Sequence, residues 1–408
     1  KYPEDARVNY IKRLVGLPGE TVFIAGGNIW TSTGGAAEIA RKPPTRLRAM
    51  LQPVHDSRHV AEPLVAAGWP TAWSDWSPAG TADRWTTADA GRSFTAAAGD
   101  APATLRWRHF VPPDWEPSAP PPDPPRPALV GDFQPYNQDP EYLGLHFDDS
   151  LGGIVDGANW VGDLAVECDL ESLDGTGRVT LDLVQAGVRH TCSFDLASGA
   201  VTLAGGAAGE VRAAATTPVR GRGSWRIMFA NVDDELSLFV DGRRVTTDVP
   251  TGWRRSLDEA AAARPVVGNA RPGDVEPDDL VPAGITASGG SVRVTNLRVL
   301  RDIFYIASGS QAALVGREPA EPFLEFPLGP DQFFVLGDNS SASKDGRAWG
   351  TLDKPLHHVD RRLLVGRALV VFWPHAVPTS WNVKVAERCG WELRLPCLPN
   401  FARMRFVR

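Results

Sequence analysis

Apolar and polar residues alternate with period two over most of this chain, in short runs. The first, "NYIKRLVGL" (9–17), is followed by "PGE" and then "TVFIAGGNIW" (21–30), which predicts strand, turn, strand. Between residues 128 and 300 the alternation recurs in "GDLAVECDLESL", "GRVTLDLVQAG", "RHTCSFDLASGAVTLAGG" and "GSVRVTNLRVL". Turn residues separate these runs at the spacing of about 8–12 positions expected of an antiparallel β-sandwich. "DDELSLFVDGRRV" is the sharpest part, a strand that returns through a tight Asp-Gly turn. From 301 onward, "DIFYIASG", "PFLEFPLGPDQFFVLGDNSSASKDGRAWG" and "LLVGRALVVFWP" have the character of the chain's start. These last strands are expected to complete the sheet that residues 8–30 open. The fold class expected is mainly β, one domain built from both chain ends and interrupted by a long insert.

Residues 31–127 break the pattern. "PTRLRAMLQPVHDSRHVAEPLVAAGW" has helical stretches, whereas "DRWTTADAGRSFTAAAGDAPATLRWRHF" predicts short strands. Six of the 14 tryptophans fall between Trp69 and Trp115; they read as core and interdomain packing, with sugar stacking as the functional alternative. "VPPDWEPSAPPPDPPRP" (111–127) carries nine prolines, enough to hold an extended spacer. It predicts a boundary, giving segments 1–30, 31–127, 128–300 and 301–408.

The 408 residues carry a net charge of −7, with no polybasic stretch, so a nucleic-acid partner is not expected. No run approaches the roughly 18 apolar residues that would span a bilayer; the best, 363–377, is broken by Arg367, Pro374 and His375. The first residue is not methionine, which reads as an upstream segment removed or unrecorded. The cysteines, Cys168, Cys192, Cys389 and Cys397, show no metal-ligand spacing. Two disulfides and four free thiols both remain open. The histidines, His357 and His358 included, have no metal spacing either, and that pair reads as solvated loop.

Two short stretches carry candidate chemistry. The first places Lys12 in the middle of an alternating strand, before the Gly16-Leu17-Pro18-Gly19 turn region. The second is "GDNSSASKDGRAWG" (337–350), where Asp338 and Asn339 suit a tight turn. Ser343, Asp345 and Arg347 follow at spacings of two, which in extended backbone puts them on one face. There an Asp–Arg pair would pin the loop through a two-pronged ion pair and hold the Ser343 hydroxyl in place.

"KYPEDARVNYIKRLVGLPGE", "FVLGDNSSASKDGRAWG" and "LVGRALVVFWP", taken together and in order, closely resemble the catalytic boxes of type I signal peptidase. The resemblance implies a serine endopeptidase of the serine–lysine dyad type that removes signal peptides from exported preproteins, with no metal or cofactor. It implies that Lys12 is the general base, that Ser343 orients its amine, and that Asp345, Arg347, Asp338 and Asn339 support the loop. Asn9, Tyr10 and Ile11 would pair with the substrate backbone and line a shallow pocket for small side chains. It also implies a cell-membrane enzyme with its catalytic part on the extracytoplasmic side. A free lysine, with pKa about 10.4, is charged at neutral pH, so the role requires burial, which lowers the value by as much as ~3–5 pH units.

The family nucleophile lies in a Ser-x-Ser-Met-x-Pro segment, which these 408 residues do not contain. "SGS" at 308–310 is followed by Gln311 and Ala312 and comes after Lys12 in the chain, so it is not expected to replace it. The expectation is an anchor and a nucleophile upstream of residue 1, and no activity from residues 1–408 alone. The insert resembles concanavalin-like (laminin-G-like) jelly rolls in its apolar strand leading to "VDG". Some of these bind calcium at acidic turns, but Asp233 and Asp234 read as a solvated turn. A peptidase scaffold without catalysis, acting as a glycan- or protein-binding module of the envelope, is the alternative function.

Overall fold

A computed structural model describes the chain except for residues 78–83, 98, 100, 112–119, 121–122, 124–125, 133–158, 207–208, 263–274, 307–322, 341–342, 352–353, 372–383, 389–390, 395–403 and 407–408. Cys389, Cys397, Trp115 and the Ser308–Ser310 segment therefore lie outside the described residues. The chain divides into two compact units, one of residues 12–358 and one of residues 1–11 with 359–408. In the second unit, the strands Val370–Val371 and Arg405–Phe406 pair, as do Lys384–Arg388 and Trp391–Arg394.

The larger unit is mainly β, as expected. Its bulk is a sandwich of two antiparallel sheets. One has the order Arg243–Arg244, Glu235–Val240, Gly223–Val232, Leu164–Ser172, Val292–Arg301, Ser93–Ala96, Trp85–Thr86, with Gln52–Asp56 also on Val292–Arg301. The other runs Val211–Thr216, Ala200–Gly205, Val188–Asp195, Arg178–Gln185, Ala283–Ser288, Ala103–Trp107, Trp73–Asp75. Period-two alternation places Leu164, Val166, Cys168 and Leu170 between the sheets, where they meet Leu181, Phe194, Phe229 and Ile285. The other face of the first sheet presents Ala165, Met228, Ala230 and Phe239, which Leu47 of the helix Pro44–Met50 covers.

Strands at 52–56, 73–75, 85–86, 93–96 and 103–107 thus belong to the same sheets as strands from 164–301, so the sandwich spans the proline-rich stretch instead of beginning after it. A sheet accepts any strand that matches its hydrogen-bonding edge and its apolar period, however long the connection. Trp73, Trp85 and Trp107 are in its core, Trp69 is buried, and Trp76 is half-exposed, so packing accounts for most of the described part of this cluster. Cys168 and Cys192 are free, buried thiols, and burial pushes both far above the usual thiol pKa.

The chain's start and its later part meet in two smaller sheets. Arg13–Gly16 pairs antiparallel with Gln332–Leu336. A four-stranded sheet has the order Leu324–Pro327, Thr21–Ala25, Asn28–Ser32, Glu38–Ile39. Val22, Ile24, Leu324, Phe326, Phe334 and Leu336 form their shared core, with Ile303 and Tyr305 from the stretch that leaves the sandwich. Between Arg13–Gly16 and Thr21–Ala25 the chain turns at Leu17-Pro18-Gly19-Glu20. Gly19 has φ +80°, and Glu20 N–H donates to Leu17 O at 3.2 Å. Proline before a left-handed glycine is what such a turn requires.

Candidate active site

Lys12 immediately precedes the strand Arg13–Gly16. The register sets Arg13 opposite Leu336, so Lys12 falls opposite Gly337, the first residue of the second candidate stretch. Across this point Lys12 Nζ donates to Ser343 Oγ at 2.6 Å, joining residues 331 positions apart. Gly337 permits the contact: a Cβ there would collide with Ser343 Oγ and come within 3.2 Å of Lys12 Nζ. Neither Gly337's role nor its need to lack a side chain was read from the sequence, where it appeared only as part of a turn.

Asp345 and Arg347 form the expected two-pronged pair, Nε to Oδ1 at 2.9 Å and Nη2 to Oδ2 at 2.8 Å, with both side chains fully buried. The local backbone, however, is a turn and not the extended strand assumed above, with Ala348 N–H on Asp345 O at 2.8 Å. Asp345 Oδ1 also accepts from Arg347 N–H, and Oδ2 accepts from Gly337 N–H at 2.9 Å. The turn therefore brings the two side chains together, and the carboxylate fastens it to Gly337.

Ser340 is a member the sequence reading missed. Its Oγ accepts from Arg347 Nη1 at 2.8 Å and from Ile306 N–H at 3.0 Å, while its carbonyl accepts from Nη2 at 3.0 Å. With Nη1 also directed at Ile306 O, every N–H of the buried guanidinium has an acceptor. Its signal was available, since a serine beside a buried arginine is a natural acceptor, but nothing in a linear stretch says which serine the guanidinium will meet.

Asp338 lies in the bend, as expected, and also reaches out of it. Its carboxylate receives Arg13 Nε at 2.8 Å and Nη2 at 2.7 Å, a second two-pronged pair that ties the first stretch to the second. Asn339 lies half-buried in the same bend. Asn9, Tyr10 and Ile11 belong to the smaller unit and have no regular secondary structure. Ile11 is 86% exposed, and Tyr10 lies against Tyr2 with ring centroids 5.0 Å apart. His357, expected in solvent, bonds Pro327 O through Nε2 at 2.7 Å and lies against Phe326.

Burial holds the Lys12 amine below the usual lysine pKa, and the Arg347 charge adds to this. Asp345 and Asp338 oppose it from a distance. Among the described residues its near side-chain partner is a hydroxyl, which orients the amine without stabilising its charge as a carboxylate would. With one N–H committed to Ser343, the nitrogen lone pair of the neutral form is limited to the two remaining tetrahedral directions. The arrangement can take a proton from a hydroxyl brought up to Nζ.

Residues 305–373 match the family model described as signal peptidase, peptidase S26. The matched segment includes Ser340, Ser343, Asp345 and Arg347 but stops short of half the chain, and Lys12 lies outside it. No curated protein matches the chain. Among solved structures, carbohydrate binding module CBM66 from Bacillus subtilis is similar at 11% identity and TM-score 0.29, over 56% of this chain and 95% of that one. Bacillus licheniformis beta-glucanase is similar at 9% identity and TM-score 0.30, over 57% and 94%. Caenorhabditis elegans galectin LEC-6 is similar at 15% identity and TM-score 0.23, over 34% and 83%. Scores this low lend no weight to a functional assignment.

Proposed function

We propose that this chain is the base-bearing part of a serine–lysine endopeptidase that removes signal peptides from exported preproteins. The observation that carries the reading is the Lys12 Nζ–Ser343 Oγ bond, beside a matched signal peptidase segment. Neutral Lys12 takes the proton of a nucleophilic serine as that serine attacks the scissile carbonyl. The resulting ammonium then protonates the leaving amine, and an acyl ester remains to be hydrolysed. Ser343 directs the amine throughout, and the Asp345–Arg347–Ser340 set fastens the turn that follows Ser343 to Gly337. The reading assigns Asn9, Tyr10 and Ile11 to substrate contact and the enzyme to the extracytoplasmic side of a cell membrane. Among the described residues no helix is long and apolar enough to cross a membrane.

The nucleophile of this reading is a serine other than Ser343, because the family resemblance gives Ser343 the orienting role. The test fuses a Ser-x-Ser-Met-x-Pro segment to residue 1 and assays cleavage of a preprotein. Cleavage that falls by about 10²–10⁴ in Lys12→Ala is the expected result. Residues 1–408 without the added segment should not cleave. Turnover by them that Lys12→Ala leaves unchanged would reject the reading. The binding-module alternative predicts no cleavage in any of these forms.

A further inference from the structure

Lys12 leads directly into a strand that is paired on one side only. Arg13–Gly16 is the outermost strand of its sheet, with Gln332–Leu336 as its neighbour. Among the described residues no backbone hydrogen bond reaches its other edge. The sandwich is fastened elsewhere. Its turn between Gly223–Val232 and Glu235–Val240, expected in solvent, buries Asp233 on Lys42 and Asp234 on Arg255. Lys42 Nζ also reaches Asp302 Oδ2 at 2.6 Å, and the Asp163 carboxylate lies close to both acids. Lys42 stands between the strand Glu38–Ile39 and the helix Pro44–Met50, so this tie leaves the Arg13–Gly16 edge uncovered.

An open edge offers alternate N–H and C=O groups that an extended peptide can take up as an added strand. Natural edges are commonly guarded by charge. Here the one charge, on Arg13, is turned onto Asp338. Val15 faces the shared core of the small sheets, whereas Leu14 is 44% exposed. Leu14 lies two positions beyond Lys12, on the same face and about 7 Å further along the strand. It stands opposite Val335, which is buried. Leu14 and Val335 therefore continue the Lys12–Gly337 position as an apolar step.

On the peptidase reading, which this inference adopts, the residues before the scissile bond are assigned to Asn9–Ile11 and the bond itself to Lys12. That order requires a substrate running parallel to the strand, since an antiparallel one would carry its bond past Asn9. The leaving segment of a parallel substrate then continues along Arg13–Gly16. With the residue before the bond level with Lys12, the second residue after it falls level with Leu14 and on the same face. We propose that the open edge of Arg13–Gly16 holds the leaving segment of the preprotein, and that Leu14 selects an apolar side chain at its second residue. A carboxylate at that position would lose hydration against Leu14 and Val335 with no donor to replace it.

The test pairs cleavage with binding. In the form fused to Ser-x-Ser-Met-x-Pro, two preproteins are compared, with Leu or Asp as the second residue after the bond. The Leu substrate should have a kcat/KM about tenfold higher. Leu14→Lys should abolish or reverse that preference. Equal cleavage of the two by the wild-type form, or a preference that Leu14→Lys leaves unchanged, would overturn the proposal and leave the peptidase reading standing. Should either form fail to cleave, peptide binding to the 408-residue chain decides. A peptide spanning the cleavage site should protect the backbone amides of residues 13–16 from hydrogen exchange. Its Leu version should bind about tenfold more tightly than its Asp version. Amides that exchange as freely with about 1 mM peptide as without it, or equal affinities, refute the proposal.

Discussion

Lys12 and Lys42 are both withdrawn from water, yet their surroundings drive their protonation in opposite directions. Burial pushes each toward the neutral amine. At Lys42, two carboxylates in direct contact overcome that push and hold the ammonium charged well above the usual lysine pKa. Among the described residues, the Lys12 amine contacts the Ser343 hydroxyl. The nearby carboxylate of Asp345 is turned away, its oxygens occupied by Arg347 and by Gly337 N–H. Burial therefore wins at Lys12 and loses at Lys42. The atom in contact with the amine, more than the depth of burial, separates a base from a structural cation.

The comparison can be broken at its supports. Arg347→Met should have the largest effect, because it leaves Asp345 buried without its partner and releases Ser340 and the Gly337 turn. A loss of ~3–5 kcal/mol in urea unfolding is expected. Lys42→Met should approach this, since it strands Asp233 and Asp302, though the Lys42 side chain keeps 11% of its exposure. Gly337→Ala forces Ser343 off Lys12 and should cost about 1–3 kcal/mol through overpacking. In the fused form it should also lower cleavage. Ser343→Ala should change stability least, by about 1 kcal/mol, since only one hydrogen bond is lost.

The same contrast extends to the histidines of the sandwich. Burial is the leading cause that holds His55, His109 and His190 near pKa 4, against an ordinary value of 6.5, and no carboxylate contact reverses it. Each is thus a buried base of the Lys12 kind. Because the unfolded chain takes up these protons first, stability should fall as pH drops from about 6.5 toward 4. Unfolding midpoints measured across that window check this. Replacing His190 with Gln should flatten the fall.

Lys12, Ser343, Asp345 and Arg347 were legible in the sequence because two compact stretches carry them. The reason given for the Asp345–Arg347 pair was mistaken, since a turn and not an extended face brings them together. Arg13, Gly337 and Ser340 escaped notice because their partners depend on the register of a strand pair. Lys42, Asp163, Asp233 and Asp302 are scattered over 260 positions, so no spacing marks them. The sandwich announced itself through period-two alternation. Its strands at 73–107 were set apart because a proline-rich stretch looks like a boundary whether or not the sheet continues beyond it.

Titration of the lysine amines by NMR tests the central claim most directly. The chain has six lysines, few enough for Lys12→Arg to identify the Lys12 signal. Lys12 should lose its proton below the ordinary 10.5. In Ser343→Asp, which gives it a carboxylate partner of the kind Lys42 has, its titration should move upward. A Lys12 that titrates at or above 10.5 in the wild-type chain, with no response to Ser343→Asp, would contradict its assignment as the base.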